Sequence, residues 1–209
     1  PYTTLFRSYS NEHQSITYAG YLIFVAEVAS TCNESLLMHY MLEHCEDENE
    51  RKYLMTHFLD GFRTTLFRQA QFAEFEHIAH RKMQKGEPVT KDVLNELWHE
   101  LNVQYYGPDM RVDDEISYEW MRIPHFYTPY YVYQYSTGYS AAVAFSKKIL
   151  EEGKPAVDKY IGNFLCGGCS KNPIELLKSA GVDMSTPKPV DDALNVFEDY
   201  LKQFEAATK

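Results

Sequence analysis

The sequence contains no long apolar segment. A helix that crosses a bilayer needs about 20 consecutive, mostly apolar residues. The longest apolar run of this 209-residue chain, from Tyr21 to Ser30, is interrupted by the carboxylate of Glu27. The sequence therefore predicts no membrane span and no membrane partner.

Cysteine is also scarce. The four cysteines, Cys32, Cys45, Cys166 and Cys169, do not make a disulfide scaffold in a chain of this length. Cys166-Gly-Gly-Cys169 has CxxC spacing, but it lies at a predicted helix end where two glycines make a turn, not after a strand. We expect neither a redox nor a metal function at this motif, and the cytoplasm is the default compartment.

Positive charge is in deficit. Lysine and arginine number 20 against 30 aspartates and glutamates, which gives a formal net charge of −10. This balance disfavours nucleic acid or an anionic membrane as a partner. An apolar content of 44% with 15% aromatic residues argues against disorder. Seventeen tyrosines, concentrated between Tyr127 and Tyr139, suit the lining of a wet cleft.

Strand-type alternation is missing as well, so the sequence predicts an all-α fold. Between the helices, the stretch from Tyr106 to Thr128 is irregular, and long irregular segments of compact domains are often functional. The predicted helices run from about Tyr18 to His44, from Glu46 to Gln84, from an N-cap at Thr90 to Gln104, from Pro129 or Tyr130 to Glu152, and then from Asp158 to Leu165, Pro173 to Ala180 and Val190 to Ala206.

Glu27 is the most informative residue. Its neighbours in sequence are apolar and suited to a packed interior, where an ionised carboxylate needs a cation, a strong donor or a metal. Glu34 follows two helical turns later on nearly the same face. A structural salt bridge or an exposed polar stripe is the alternative interpretation.

Four segments together resemble one family. Phe24–Glu34 is similar to the helix that carries the third metal ligand in the oligoendopeptidase F branch of the thimet-like zinc peptidases. Arg68–Glu76 resembles the long central helix of that family, and Pro124–Gly138 its substrate-binding loop and following helix. Asn172–Met184 resembles the C-terminal part of the family sequence. The resemblance implies the C-terminal portion of a helical, zincin-type peptidase catalytic domain.

The resemblance also implies one Zn²⁺ ion held by two histidines and a glutamate. Glu27 corresponds to that glutamate, and Glu34 to a carboxylate that orients a ligand histidine. The two histidines should come from an HExxH helix, which this sequence does not contain. His99–Val103 begins as His-Glu but ends in valine, and His77 and His80 are expected on a solvated face beside Glu76 and Arg81.

The oxyanion of the reaction needs hydrogen-bond donors. His125, Tyr133 and Tyr135 resemble the donors of the family, and Tyr127 and Tyr130 resemble substrate-binding residues. The choice among Tyr130, Tyr133 and Tyr135 stays open, and packing of an aromatic helix face is the alternative for each of them. Three arginines could bind a substrate carboxylate, although paired or solvated arginines are commoner: Arg63, Arg68 and Arg122.

Residues 1–8 do not fit the family pattern. They look like the translation of a sequencing adapter, at the point where the HExxH helix should end. We therefore interpret residues 1–8 as a non-native leader and residues 9–209 as the C-terminal part of the catalytic domain. Ordinary residues of a divergent relative are the alternative.

The function predicted from the sequence is a zinc metalloendopeptidase that hydrolyses short oligopeptides. On its own, the chain is expected to bind no stoichiometric zinc, to be inactive and to expose the apolar face around Glu27. The alternative is a non-catalytic helical module that binds peptides and has lost its metal site. An HExxH motif encoded just upstream of Tyr9 would distinguish the two.

Overall fold

The computed structural model describes residues 2–208, with side chains from Leu5 onward. Every regular element in that range is helical, so the all-α class is confirmed. Short 3-10 and π turns join the α-helices. The α-helices are α1 (Tyr2–His13), α2 (Ile23–His44), α3 (Glu48–Gly61), α4 (Arg68–Gln84), α5 (Lys91–Tyr106), α6 (Tyr133–Glu152), α7 (Lys154–Lys159), α8 (Pro173–Ser179) and α9 (Lys188–Thr208). In the part of the chain described, no helix has the length and apolarity that a bilayer crossing demands.

Two predicted helix starts lie several residues too early in the chain. The helix expected from Tyr18 begins at Ile23, because the residues before it form a turn and extended backbone. The helix expected from Pro129 or Tyr130 begins at Tyr133. Tyr130 has a φ of 56°, which lies outside the right-handed helical region and is uncommon for a bulky residue.

The helix predicted from Glu46 to Gln84 is interrupted. A π turn, Phe62–Phe67, joins α3 to α4, and the Ser136 hydroxyl donates a 2.8 Å hydrogen bond to the Leu66 carbonyl within this turn. A side chain that enters the backbone ladder in this way is a usual cause of local rewinding. The short helix predicted from Asp158 to Leu165 begins earlier, at Lys154, and is divided into α7 and the π turn Tyr160–Phe164.

The chain forms two compact units. The first unit comprises the described residues up to Phe62 and those from Thr137 onward, and the second unit is Arg63–Ser136. In the first unit, one face of α2 packs on α6 and the segment around Phe164. Gly138 permits a close approach, since a Cβ there would lie 3.4 Å from the Phe24 ring. Leu42 of α2, Leu54 of α3 and aromatic residues of α9 form a smaller cluster.

Helix α1 was not among the predicted elements. Its Phe6 is fully buried and makes edge-to-face contacts with Tyr21 at 5.0 Å and Phe164 at 5.4 Å between ring centroids. Ser10 donates a hydrogen bond to the Leu165 carbonyl. The foreign origin of residues 1–8 stays a prediction, and Pro1 lies outside the described residues.

The second unit has its own core, in which α4 packs against α5. Trp98 of α5 is fully buried and contacts Phe72 and Phe75 of α4 at 5.2 and 4.9 Å between centroids. Thr90 caps α5 as predicted, because its side chain accepts a hydrogen bond from the Val93 amide. The segment predicted as irregular contains two 3-10 helices, Asp114–Arg122 and Pro124–Tyr127.

Candidate functional site

Glu27 lies on the outer face of α2. Val25, Ala26, Val28 and Ala29 are buried as the apolar run predicts, but the Glu27 side chain is exposed. The premise that this run buries the carboxylate itself is therefore wrong, because the 3.6-residue period turns Glu27 away from the core. An exposed carboxylate keeps its hydration and needs no structural partner.

Glu27 and Glu34 interact electrostatically. The pKa of Glu34 is raised from its ordinary value, first by partial burial and then by the negative charge of Glu27, while His57 of α3 opposes the shift. The pKa of Tyr139 is raised by burial and by the charge of Glu34. The two carboxylates thus share a region of excess negative charge on the surface of the first unit, which a bound cation would stabilise.

A zinc site of the expected class takes three protein ligands and a water. Among residues 2–208, no three histidine, cysteine, aspartate or glutamate side chains are grouped so that they could hold a metal ion. Two neighbouring carboxylates nevertheless supply the oxygen donors that suit a divalent cation. Glu27 and Glu34 therefore fit the part of one ligand and one supporting carboxylate.

His125 and Tyr135 come together in the second unit. The Tyr135 hydroxyl lies 3.3 Å from Nε2 of His125, and the two rings meet edge to face with centroids 5.7 Å apart. His125 is carried by the 3-10 turn Pro124–Tyr127, and Tyr135 by the first turn of α6. This pair places side by side an imidazole and a phenol, two groups that can each donate a hydrogen bond.

Tyr131 belongs to the same cluster and was missed by the sequence prediction. Its ring stacks on His125 with centroids 6.1 Å apart and meets Tyr135 edge to face at 5.6 Å. The available signal was the spacing of four residues between the two tyrosines. That signal was hard to use because α6 begins only at Tyr133, between them.

The other predicted tyrosines are placed differently. Tyr127 is 87% exposed and Tyr133 is 48% exposed. Tyr130 turns toward α4, where its backbone amide donates a 2.7 Å hydrogen bond to Oε1 of Glu76 and its ring lies 5.0 Å from that of His80. Of the residues predicted here, the structure brings His125 and Tyr135 together.

The expectation that Glu76 lies on a solvated face is wrong. The sequence placed it with His77, His80 and Arg81 on a solvated face, but Glu76 is only 5% exposed while His77 is exposed. The hydrogen bond from the Tyr130 amide satisfies one of the two oxygens of this buried carboxylate.

Two of the candidate arginines are engaged in ion pairs. Arg68 and Arg122 both bind the carboxylate of Glu119, and Arg68 also lies 4.8 Å from the centroid of the Phe72 ring. These contacts account for Arg68 and Arg122 as structural residues of the second unit, the commoner role for an arginine.

The CxxC motif forms a tight turn. Gly168 has a φ of 52°, and the Cys169 amide donates a 2.9 Å hydrogen bond to the Tyr18 carbonyl. A Cβ on Gly168 would lie 2.1 Å from that carbonyl oxygen. The turn predicted here is therefore present, and it requires glycine at Gly168 because a Cβ would not fit.

Comparison with known proteins gives consistent matches along the chain. The model of "Peptidase family M3" matches residues 5–196. Oligopeptidase PepF of Bacillus subtilis (strain 168) is 55% identical over 197 residues, which cover 94% of this chain and 29% of that protein. Group B oligopeptidase PepB of Streptococcus agalactiae is 42% identical over 202 residues, which cover 97% of this chain and 33% of that protein.

A solved structure shows the same architecture. The crystal structure of oligoendopeptidase-F from Enterococcus faecium matches 99% of this chain and 38% of its own, with a TM-score of 0.89 and 44% sequence identity. The chain thus spans about a third of the length of the relatives that it matches.

Proposed function

Because this chain belongs to peptidase family M3, within its oligoendopeptidase F branch, we propose that it is part of a zinc-dependent endopeptidase that hydrolyses short oligopeptides in the cytoplasm. The family resemblance seen in the sequence is confirmed. The observation that carries the proposal is the pairing of His125 with Tyr135 in a chain that is 55% identical to an oligopeptidase.

Glu27 is proposed as the zinc ligand that this chain supplies. It is exposed and available to an incoming ion, and Glu34 lies close enough for its pKa to respond to the charge of Glu27. Glu34 would accept a hydrogen bond from a ligand histidine and so fix its ring. A bound zinc ion would polarise the scissile carbonyl. It would also lower the pKa of a bound water, so that the water could lose a proton and attack that carbonyl.

His125 and Tyr135 are proposed as donors to the oxyanion. A phenol O–H and an imidazole N–H are both hydrogen-bond donors, and in their 3.3 Å contact one group donates to the other. The contact holds the two groups in one orientation, and both protons become available to the oxyanion when the substrate replaces it. Tyr133 is the second choice among the tyrosines, because the hydroxyl that lies beside His125 is that of Tyr135. Tyr127 and Tyr130 are proposed to contact the bound peptide, the first through its exposed ring.

A segment exchange tests this proposal. The stretch of the Bacillus subtilis PepF that corresponds to this chain is replaced by residues 9–209, and turnover of an internally quenched oligopeptide is measured. We expect a folded, zinc-containing chimera that cleaves the oligopeptide, with loss of turnover on chelation. A folded chimera that binds the peptide without cleaving it would support a non-catalytic binding module instead. The isolated chain is expected to be inactive, since Glu27 and Glu34 alone do not complete a zinc site.

A further inference from the structure

A cavity opens in the second unit on the side of α4 that faces Tyr130. Its volume is about 290 Å³, and its walls come from α4, the start of α5 and the segment that includes both 3-10 helices. Most lining side chains are apolar, among them Met83, Leu94, Trp120 and Phe126. This volume lies just below the usual range of ligand pockets, about 300–1,000 Å³. The cavity therefore has room for a single long side chain and not for a larger ligand.

Among the described residues that line this cavity, Glu76 is the one carboxylate. It is 5% exposed, and its Oε1 accepts the Tyr130 amide at 2.7 Å, with Nε2 of His80 4.0 Å from the same oxygen. Among the described side chains no lysine or arginine pairs with Glu76. A carboxylate in apolar surroundings with a single backbone donor is poorly compensated, and a cation would supply what is missing.

We propose that this cavity binds a primary alkylammonium group, which in a peptide is the side chain of lysine. The apolar walls suit the methylene stem, the Trp120 and Phe126 rings suit a nearby cation, and Glu76 suits the charged end. One oxygen of Glu76 is already occupied by the Tyr130 amide. The remaining oxygen offers a single point of contact, which favours an ammonium over the two-pronged guanidinium of arginine.

The cavity and the proposed donor pair share one turn. Phe126 and Tyr127 line the cavity, while His125 of the same 3-10 turn contacts Tyr135. A peptide held at His125 could thus place a neighbouring side chain in the cavity. The claim that the bound group is the lysine side chain of a peptide rests on the proposed function. The claim that the cavity binds an ammonium group does not depend on that function.

Binding is tested on the purified 209-residue chain by two-dimensional NMR titration. The probes are Nα-acetyl-lysine methylamide and Nα-acetyl-norleucine methylamide, which differ in the terminal ammonium. We expect the lysine derivative to bind at least ten-fold more tightly and to shift the Tyr130 amide and the Trp120 indole resonances. Equal affinity for the two probes would overturn the proposal. Chemical-shift changes confined to residues outside the cavity would overturn it as well.

Glu76→Gln is the decisive variant. The glutamine side-chain oxygen can still accept a hydrogen bond from the Tyr130 backbone N–H, while the negative charge is removed. This variant should abolish the preference for lysine over norleucine. Glu100→Gln, an equal change of charge at an exposed position of α5, should leave that preference intact. If Glu76→Gln does not fold, Ala79→Leu reports instead, since it narrows the cavity with Glu76 retained and should weaken both probes. Full lysine selectivity in Glu76→Gln, or undiminished binding in Ala79→Leu, contradicts the assignment.

The two hypotheses fail separately. Neither probe contains a peptide bond between two residues, so the titration is independent of turnover. An active chimera combined with no selectivity for lysine rejects the lysine pocket alone. Selective lysine binding combined with an inactive chimera rejects the peptidase proposal and leaves the ammonium site in place.

Discussion

At the residue scale, the contact between Tyr135 and His125 separates one tyrosine from its neighbours. Both Tyr133 and Tyr135 belong to the first turn of α6, but the hydroxyl that lies 3.3 Å from the imidazole is that of Tyr135. Spacing in the sequence could not make this distinction, because it depends on where α6 begins and on the φ of Tyr130.

Tyr135→Phe in the active chimera should lower kcat by about 100-fold, the usual loss for one oxyanion donor. Tyr133→Phe is the matched control and should cost less than about ten-fold. The measurement is steady-state hydrolysis of the quenched oligopeptide at saturating substrate. The reverse order of the two effects would assign the donor role to Tyr133.

His39 gives a pH dependence of stability at the same scale. Burial lowers the pKa of its imidazole, and Nδ1 lies 2.6 Å from the Tyr200 hydroxyl of α9. The unfolded chain therefore binds this proton more readily than the folded chain. The resulting stability is present above the ordinary histidine pKa, about 6.5, and is lost as the pH falls below it.

The expected result is a free energy of unfolding that falls between pH 7 and pH 5.5 more steeply in the parent chain than in His39→Phe. Urea denaturation at several pH values measures this difference. His77→Gln, which alters an exposed histidine, should keep the parental slope. An unchanged slope in His39→Phe would show that His39 is not the titrating group.

At the scale of elements, helix-forming periodicity predicted most of the fold. The Thr90 cap, the helix opening at Pro173 and the long helix ending at Glu152 all follow from local signals. The π turn Phe62–Phe67 was not predicted, and the hydroxyl that bonds to its Leu66 carbonyl is distant in sequence. Burial of Glu76 could not be foreseen either, since its donor is a backbone amide 54 residues away.

The turn at Gly168 joins the segment after α7 to the residues before α2, and it allows a sharp test. Gly168 combines a φ of 52° with a ψ of −132°, a conformation that glycine adopts readily and residues with a Cβ do not. Gly168→Ala should therefore destabilise the chain by more than about 1–3 kcal/mol, the usual cost of a sparsely populated backbone conformation, because the clash with the Tyr18 carbonyl adds to that cost. Thermal unfolding followed by circular dichroism measures it. Gly162→Ala, which has nothing within 4 Å of the added Cβ, should be neutral or stabilising. Equal melting temperatures for the two variants would contradict this account of the turn.

At the scale of the whole molecule, the chain is about a third of its relatives in length and divides into two units. The family could be predicted from sequence because its motifs are spread over the whole chain, from Phe24 to Met184. The chemistry was predicted less completely. The Glu27 carboxylate was expected inside the core, whereas the structure leaves it exposed beside Glu34.

The most direct test of the account is the zinc affinity of the chimera, measured by competition with a chelator. Glu27→Gln should weaken zinc binding by at least 100-fold, and Glu34→Gln by about 10–100-fold, as expected for a carboxylate that supports a ligand. Glu43→Gln, an exposed carboxylate of the same helix, should bind zinc like the parent. Parental zinc affinity in Glu27→Gln would contradict the central claim that Glu27 is a metal ligand.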